Sequence, residues 1–400
     1  MKFLRDFLDK QKPLFEKGGK LEKFYYIYEA HDTLLFKPNE VAGSKGAHIR
    51  DAIDSKRMMM TVIIAMIPCL IFGIWNTGHQ HFVATGSEAD FIQKMLFGAY
   101  YVLPIVVVSY VTGLTVEFTF ATIRRHEVNE GFLVSGMLIP LVMPATVPLW
   151  QVALGTIFAV IIAKEVFGGT GMNILNVALT ARAFLYFAYP SQLSGDVWTV
   201  MADATAIDGY SGATALAVAY QTTVSDIGSV SEALAASGSF ISSDFFSMQS
   251  MFLGTIPGSI GETSTLWALV GGLILVATGV GSWKIIVSVF GGAYAMGWIA
   301  SVFAVNPYMA MDPAYHLVMG GLAFGAVFMA TDPVTATQTE LGKWIYGFLI
   351  GALTIIIRVF NPAYPEGIML AILFMNVFAP LIDYYIVEAN KKRRLQRATV

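Results

Sequence analysis

The sequence predicts an all-α polytopic membrane protein of about ten transmembrane helices in two inverted five-helix repeats, with the third and eighth helices interrupted. Three observations carry that reading. Hydrophobic types make up 56% of the 400 residues and charged types only 13%, against roughly 25% in a soluble domain. The mean hydropathy is +0.62. Of the 25 Lys and Arg, 12 lie in residues 1–57 and 5 in 391–400, so the long body between them lacks the charge for a normal water-facing surface. Ten apolar stretches then approach the roughly 20 residues that a bilayer core demands, at 58–75, 97–119, 131–149, 150–167, 173–190, 263–283, 285–305, 317–333, 344–360 and 368–387. A net charge of -3 gives no footprint for nucleic acid. The lone Cys69 excludes an intrachain disulfide, a CxxC redox pair and a self-contained iron–sulfur site.

Residues 1–57 are charged and reach no apolar core near residue 10, so they do not form a secretory signal. Phe3, Leu4, Phe7 and Leu8 recur at helical spacing among charges, which suits an amphipathic helix on a membrane surface or a segment packed on its own protein.

Orientation follows from the cations, because short cytoplasmic loops are enriched in Lys and Arg. Arg50, Lys56 and Arg57 precede the first span, Arg124 and Arg125 follow the second, and Lys164 ends the fourth. Lys284, Lys343 and the run Lys391 to Arg394 fall on the same side by parity. Both termini are thus expected in the cytoplasm and the 191–262 connection on the external face. The division is a cytoplasmic region (1–57), a first membrane repeat (58–190), an external loop (191–262), a second repeat (263–388) and a basic cytoplasmic tail (389–400).

Five spans on each side of the loop make any repeat inverted. At an offset of 189, Gly131, Leu133, Gly136, Pro144 and Thr146 match Gly320, Leu322, Gly325, Pro333 and Thr335. These matches fall in the third span of each half, where Pro and Gly interrupt the helix. Broken helices at membrane depth line cavities or are buried in protein, and paired ones point to a central site.

The external loop contains Asp208-Gly209-Tyr210-Ser211-Gly212-Ala213-Thr214. Its glycines and small residues leave the Thr214 hydroxyl open to an enzyme that attaches a group there. The same residues also read as a turn before the N-cap of a short Ala-rich helix. Gly258-Ser259-Ile260-Gly261-Glu262-Thr263 precedes the sixth span and reads either as backbone N–H groups offered to a phosphate or as ordinary capping. Gly168-Gly169-Thr170-Gly171 lacks the dinucleotide spacing and suits a tight cytoplasmic turn.

The Asp-Gly-x-Ser-Gly-Ala-Thr segment resembles the recognition sequence of flavin transferases. Together with His48 to Met59, Glu165 to Asn173, Gly258 to Thr263 and Ala330 to Pro333, in that order, nearly the whole chain resembles the B subunits of Na+-translocating NADH:quinone reductases. That resemblance implies covalent FMN on Thr214, a noncovalent riboflavin, and quinone as acceptor. It also implies partner subunits that supply electrons, Na+ export, and a flavin transferase for maturation. By the same resemblance Asp208, Gly209, Ser211, Gly212 and Ala213 form the flavinylation motif. Ser259, Gly261 and Thr263 are candidates for a flavin phosphate, and Asn173 and Asn176 for riboflavin. The alternatives are the D subunit of Rnf-type electron-transport complexes, which is similar in topology, and a Na+-coupled transporter without redox chemistry.

Ionisable residues at membrane depth are costly and mark function or pairing. Asp332 beside Pro333, Asp383 at the end of the tenth span and Glu130 at the entrance of the third are candidates for the ion path. No tightly bound metal is expected, and no side chain is expected to act as a general acid or base. Glu165 and Arg182 are expected to pair with each other. His79 and His81 are expected in an external loop. With no NADH-binding fold, the chain is expected to need other subunits for activity.

Overall fold

The computed structural model describes residues 2–36, 55–125, 128, 131–193, 195, 212–223, 228–238, 244–361 and 366–398. Every regular element among them is helical.

Helices α1 (Lys2–Phe15) and α2 (Tyr25–Leu35) form a hairpin. Arg5 ties it together by bridging Asp9 (3.0 Å) and Asp32 (2.8 Å), and the Tyr28 hydroxyl donates to the Leu8 carbonyl (2.9 Å). The hairpin packs through α2 onto the second long helix, where the His31 and Phe118 rings lie 5.8 Å apart. Phe3 and Phe7 stay exposed on α1, so the amphipathic pattern leaves an apolar face uncovered.

Helices α3 (Ser55–Ala84) and α4 (Phe91–Arg124) are longer than the apolar stretches within them. At 1.5 Å per residue α3 spans roughly 45 Å, beyond the thickness of a bilayer core. Its last turns carry His79 and His81, which sequence reasoning assigned to a loop. The helix persists because His79 stacks on Trp75 (4.8 Å) and His81 on Phe97 of α4 (4.0 Å). A capping box starts α4, with Asp90 accepting from the Gln93 N–H (2.7 Å) and the Gln93 side chain accepting from the Asp90 N–H (3.0 Å).

The third apolar stretch is helical only as α5 (Gly131–Leu141). Pro140 and Pro144 then prevent continuation, and the chain unwinds before α6 (Leu149–Ala159). That helix runs on through a π-helical turn (Val160–Lys164) and a short 3-10 turn to Phe167. Next comes α7 (Val177–Ala188), capped by Asn176, whose side chain accepts from the Leu179 N–H (3.1 Å).

Four short helices follow, α8 (Pro190–Leu193), α9 (Ala215–Gln221), α10 (Val230–Gly238) and α11 (Met248–Leu253). The last three share a small apolar core built on Leu216, Leu234, Phe246 and Met251, joined by Tyr308 and Met319 from farther along the chain. They form a small helical cluster that packs against the second half through these residues.

The second half contains α12 (Thr265–Ala277), α13 (Trp283–Val302), α14 (Pro313–Val318), α15 (Leu322–Phe324), α16 (Glu340–Phe360) and α17 (Ile368–Ala398). A π-helical turn (Gly325–Met329) extends α15, and the whole eighth stretch is broken at Met319 to Gly321 and again at Asp332-Pro333. Helix α17 continues without interruption through the basic run Lys391 to Arg394. Among the described residues six helices are long and apolar enough to cross a membrane, namely α3, α4, α6 with its extension, α13, α16 and α17. The shorter apolar helices are α5, α7 and α12. The chain is therefore an integral, all-helical membrane protein whose short and broken elements sit among longer ones.

Candidate functional site

The broken segments bring two clefts together at opposite ends of α7. The first is walled by Arg182 and Tyr186 of α7, Thr214 to Leu216, the loop Ile256 to Ser259 with Glu262 and Thr263, Gly320, Gly321 and Glu366. It holds about 600 Å³ counting its mouth, within the roughly 300–1,000 Å³ of ligand clefts.

Thr214 is half-buried at this cleft. Its N–H donates to Gly195 (3.0 Å), and its hydroxyl oxygen caps α9 by accepting from the Ala217 N–H (3.3 Å). The capping reading of the motif is therefore realised, but a cap uses the oxygen as acceptor and makes no demand on its proton. Gly212 precedes it with a φ of 70°, a left-handed conformation that a glycine adopts without strain. Asp208, Gly209 and Ser211 lie outside the described residues.

The segment Gly258 to Thr263 lines the cleft through Gly258, Ser259, Glu262 and Thr263 and is held from behind at Ile260 and Gly261. The Ile260 N–H donates to Met143 (3.0 Å) and the Gly261 N–H to Leu141 (2.7 Å), which are carbonyls freed by the break after α5. Asn76 of α3 donates to the Ile256 carbonyl (3.1 Å) and to the Thr263 hydroxyl (3.4 Å). Gly73 lets α3 approach closely, since a Cβ there would collide with the Ile260 carbonyl. Gly261 thus serves packing, and its N–H and that of Ile260 are already used. The N-cap of α12 is Ser264, whose hydroxyl accepts from the Trp267 N–H (3.3 Å). Polar recognition in the cleft falls to side chains.

Among those, Arg182 is decisive. Both carboxylate oxygens of Glu262 accept from its Nη1 at 2.7 Å, and Ser259 Oγ lies 3.5 Å from its Nη2. Arg182 and Glu262 are both buried. Glu366 stands near them, accepting from the Gly321 N–H (2.7 Å) and lying 3.6 Å from Arg358. Burial pushes the Glu262 carboxyl up to about 7, with Glu366 adding to the rise and Arg182 opposing it. The expected Glu165–Arg182 pair does not form. Glu165 instead binds Arg124 through its carboxylate (2.9 Å), and Arg124 also donates to the Glu165 backbone carbonyl (2.8 Å). The Glu165 side chain thus turns to α4 rather than to α7.

The second cleft lies at the N-terminal end of α7, with about 820 Å³ counting its mouth. Asn173, Asn176, Asp332, Thr170 and Lys164 supply its polar groups, and Val134, Leu138, Leu275 and Phe328 its apolar walls. Asn173 donates to the Leu175 carbonyl (3.2 Å). Asp332 closes a turn by accepting from the Val334 N–H (3.0 Å) and the Thr335 hydroxyl (3.1 Å). In the amide orientation that satisfies its neighbours, Asn376 of α17 accepts from the Asn176 N–H (3.1 Å) and donates to the Tyr346 hydroxyl (2.7 Å).

A third, polar cavity shares Lys164 and Thr170 with this cleft and adds Glu117, Glu165, Arg125 and Tyr26. Inside it Lys164 and Glu117 form a buried ion pair. Gly168 and Gly169, with φ of 121° and 98°, form a tight turn at its edge. Asp383 lines neither of the first two clefts. It accepts from the Gln338 and Thr339 N–H groups (2.7 and 3.1 Å) and from the Thr339 hydroxyl (2.6 Å). Glu130 lies outside the described residues.

The structure thus brings Thr214, Ser259 and Thr263 together, and separately Asn173, Asn176 and Asp332. Sequence reasoning missed Arg182, Glu262 and Glu366 as one cluster. The available signal was Arg182 itself, the last Lys or Arg before Lys284, placed within an apolar stretch.

The model of the NQR2, RnfD, RnfE family matches residues 42–392. The B subunit of the Na(+)-translocating NADH-quinone reductase from Stutzerimonas stutzeri (strain A1501) is 48% identical over 420 residues, covering 98% of this chain and 99% of the relative. Its counterpart of the same name from Chromohalobacter salexigens is 49% identical over 418 residues, covering 98% and 96%. Another, from Azotobacter vinelandii (strain DJ / ATCC BAA-1303), is 47% identical over 420 residues, covering 98% and 99%.

Proposed function

The chain belongs to the NQR2, RnfD, RnfE family, and from that premise we propose that it is the B subunit of a Na+-translocating NADH:quinone reductase, carrying electrons between two flavin sites to quinone. The observation that carries the reading is the cleft joining Thr214, Arg182 and the Ser259 to Thr263 segment, with a second amphipathic cleft at the other end of the same helix. Similarity to reductase B subunits along 98% of the chain favours this over the D subunit of an Rnf-type complex.

The first cleft fits FMN esterified to Thr214. Leu216, Ile256 and Tyr186 offer apolar surface to a planar ring, while Arg182, Ser259 and Thr263 offer polar contacts. The Thr214 oxygen attacks the flavin-side phosphorus of a flavin dinucleotide, the pyrophosphate bond breaks, the nucleoside monophosphate leaves and the hydroxyl proton passes to solvent, so the mature chain gains the mass of FMN less one water. A flavin transferase performs this step. The second cleft fits the uncharged riboflavin, with Asn173 and Asn176 at its polar edge. Bound flavins supply the electron-carrying chemistry, and the protein contributes position and electrostatics. Asn176 and Arg182 are six residues apart on α7, a rise of roughly 9 Å at 1.5 Å per residue. The two sites are therefore near neighbours. The quinone head group is assigned to the adjoining polar cavity, whose lining residues Lys164 and Arg125 are the donors offered to its carbonyl oxygens.

The finer architecture belongs to the same proposal. The halves 58–190 and 263–388 form inverted repeats around the 191–262 loop, both termini are cytoplasmic, and the loop faces the periplasm across the bacterial inner membrane. Recurring partners support this. In the first half α4 packs on α6, α6 on α7 and α3 on α5, while in the second α13 packs on α16, α16 on α17 and α12 on α15. Asp332, Asp383 and Glu130 are assigned to the Na+ path. Electrons enter from other subunits that oxidise NADH.

The test is purification of the complex after coexpression with a flavin transferase. A flavin-free chain, with no flavin absorbance and no flavin-dependent quinone reduction, would favour a redox-free transporter and overturn the proposal.

A further inference from the structure

We propose that the Arg182–Glu262 pair sets the reduction potential of the group held at Thr214, the guanidinium favouring its reduced form and the two carboxylates, Glu262 and Glu366, opposing it. This rests on the reading that Thr214 carries a flavin. It adds an assignment for three residues that neither the motif nor any reading of the loop includes.

The geometry carries it. Arg182 is the cation lining the cleft, and its side chain is 5% exposed, so water screens its charge poorly. The same cleft is also lined by Thr214, Gly320 and Gly321. The backbone N–H groups of Ile260 and Gly261 are spent on Met143 and Leu141, so they add no positive field toward the cleft. What remains is a set of fixed side-chain charges. Arg182 is held by two contacts of 2.7 Å to Glu262 and cannot swing away without stranding a buried carboxylate. Glu366 is fixed by the Gly321 N–H, and Arg358 of α16 backs it from outside the cleft.

Reduction adds an electron, delivered by the NADH-oxidising subunits, to the flavin and hence a negative charge to the cleft. No bond at Arg182 or Glu262 forms or breaks. Each charge acts through the field alone, so removing one of opposite sign must move the equilibrium in the opposite direction. A structural pair whose loss merely loosened the cleft would move both variants the same way.

The experiment is a potentiometric titration of the assembled membrane complex at pH 8, above the raised Glu262 value of about 7, followed by absorbance. The component due to the Thr214 flavin is the one missing from the Thr214→Ala complex. Arg182→Gln is expected to lower the midpoint of that component by about 59 mV or more, a tenfold shift for a one-electron step. Glu262→Gln, of the same shape without the charge, is expected to raise it by a similar amount, and Arg182→Lys to stay close to the unmodified complex. Shifts of the same sign in Arg182→Gln and Glu262→Gln, or no shift in either, would overturn the proposal. If Arg182→Gln does not assemble, the comparison of Glu262→Gln with Arg182→Lys decides, and an unmoved Glu262→Gln overturns it. A Thr214→Ala complex that lacks no spectral component would instead refute the flavin site on which the proposal stands.

Discussion

Asp383 of α17 accepts hydrogen bonds from both the backbone N–H and the hydroxyl of Thr339, at 3.1 and 2.6 Å, and so fastens the last helix to the N-cap of α16. Thr339 at the same time caps α16 by accepting from the Gly342 N–H (3.2 Å). One carboxylate from the middle of α17 therefore orders the start of α16, and the proposed role in the Na+ path would be additional to that anchoring.

The two roles separate by mutation. Asp383→Ala and Asp332→Ala are expected to weaken the Na+ dependence of quinone reduction more than Glu117→Ala does. Thr339→Val, which removes the hydroxyl contact but keeps the carboxylate, is expected to cost about 1 kcal/mol of stability and leave the Na+ dependence intact. Steady-state rates against Na+ concentration, paired with thermal unfolding in detergent, check this. Unchanged Na+ activation in both aspartate variants would remove them from the path.

Arg358→Met is expected to destabilise the protein by about 3–5 kcal/mol, as loss of one partner in a buried charged cluster does. Arg358 is fully buried and donates to the carbonyls of His316 (2.7 Å), Met319 (3.0 Å) and Glu366 (2.9 Å). It is the clamp across the first break of the eighth stretch. The midpoint of chemical unfolding in mild detergent reports the loss, and a midpoint within error of the unmodified protein would contradict the clamp.

Stability is expected to fall as pH rises toward and through about 7, because burial raises the Glu262 carboxyl above its ordinary value near 4.5. Below the ordinary value both folded and unfolded chains hold the proton. Between the two values the folded chain binds more protons, so the stabilisation is lost with rising pH. Thermal midpoints from pH 5 to 8 should show that slope, and Glu262→Gln should flatten it. An equal slope in the variant would assign the effect elsewhere.

Gly320→Ala is expected to cost about 1–2 kcal/mol for the left-handed backbone alone, since its φ is 67°. The added Cβ would also press on the Glu366 carboxylate and on Leu216 beside Thr214, so covalent flavin yield should drop with it. Gly291→Ala on α13 meets open space and serves as the control. In-gel flavin fluorescence per unit of protein compares the two, and equal yields would show that Gly320 does not shape the cleft.

Much of the fold was legible because its signals are local. Runs of apolar residues gave the helices, and Pro140, Pro144 and Pro333 marked where two of them break. Helix length was less legible. Polar residues such as His79 remain helical when a neighbouring Trp75 covers them, and hydropathy does not register stacking. The site was legible only in part. Thr214 sits in a contiguous motif, whereas Arg182 and Glu262 are 80 residues apart and meet because the break after α5 docks the 258–263 segment against the bundle. Glu165 was the nearer guess in sequence, yet a π-helical turn rotates the end of α6 and sends it to Arg124. Long-range pairing of this kind has no periodicity to read.

The central claim is that Thr214 holds a covalent flavin in the Arg182 cleft, and mass spectrometry of the chain purified after coexpression with a flavin transferase tests it most directly. The interval from Arg182 to Lys284 contains no other Lys or Arg, so trypsin leaves it as one long fragment and a second protease is needed to isolate Thr214. The expected result is a fragment heavier by FMN less one water, with the addition on Thr214, lost in Thr214→Ala and retained in Ser211→Ala. An unmodified fragment, or the same addition on another residue, would contradict it.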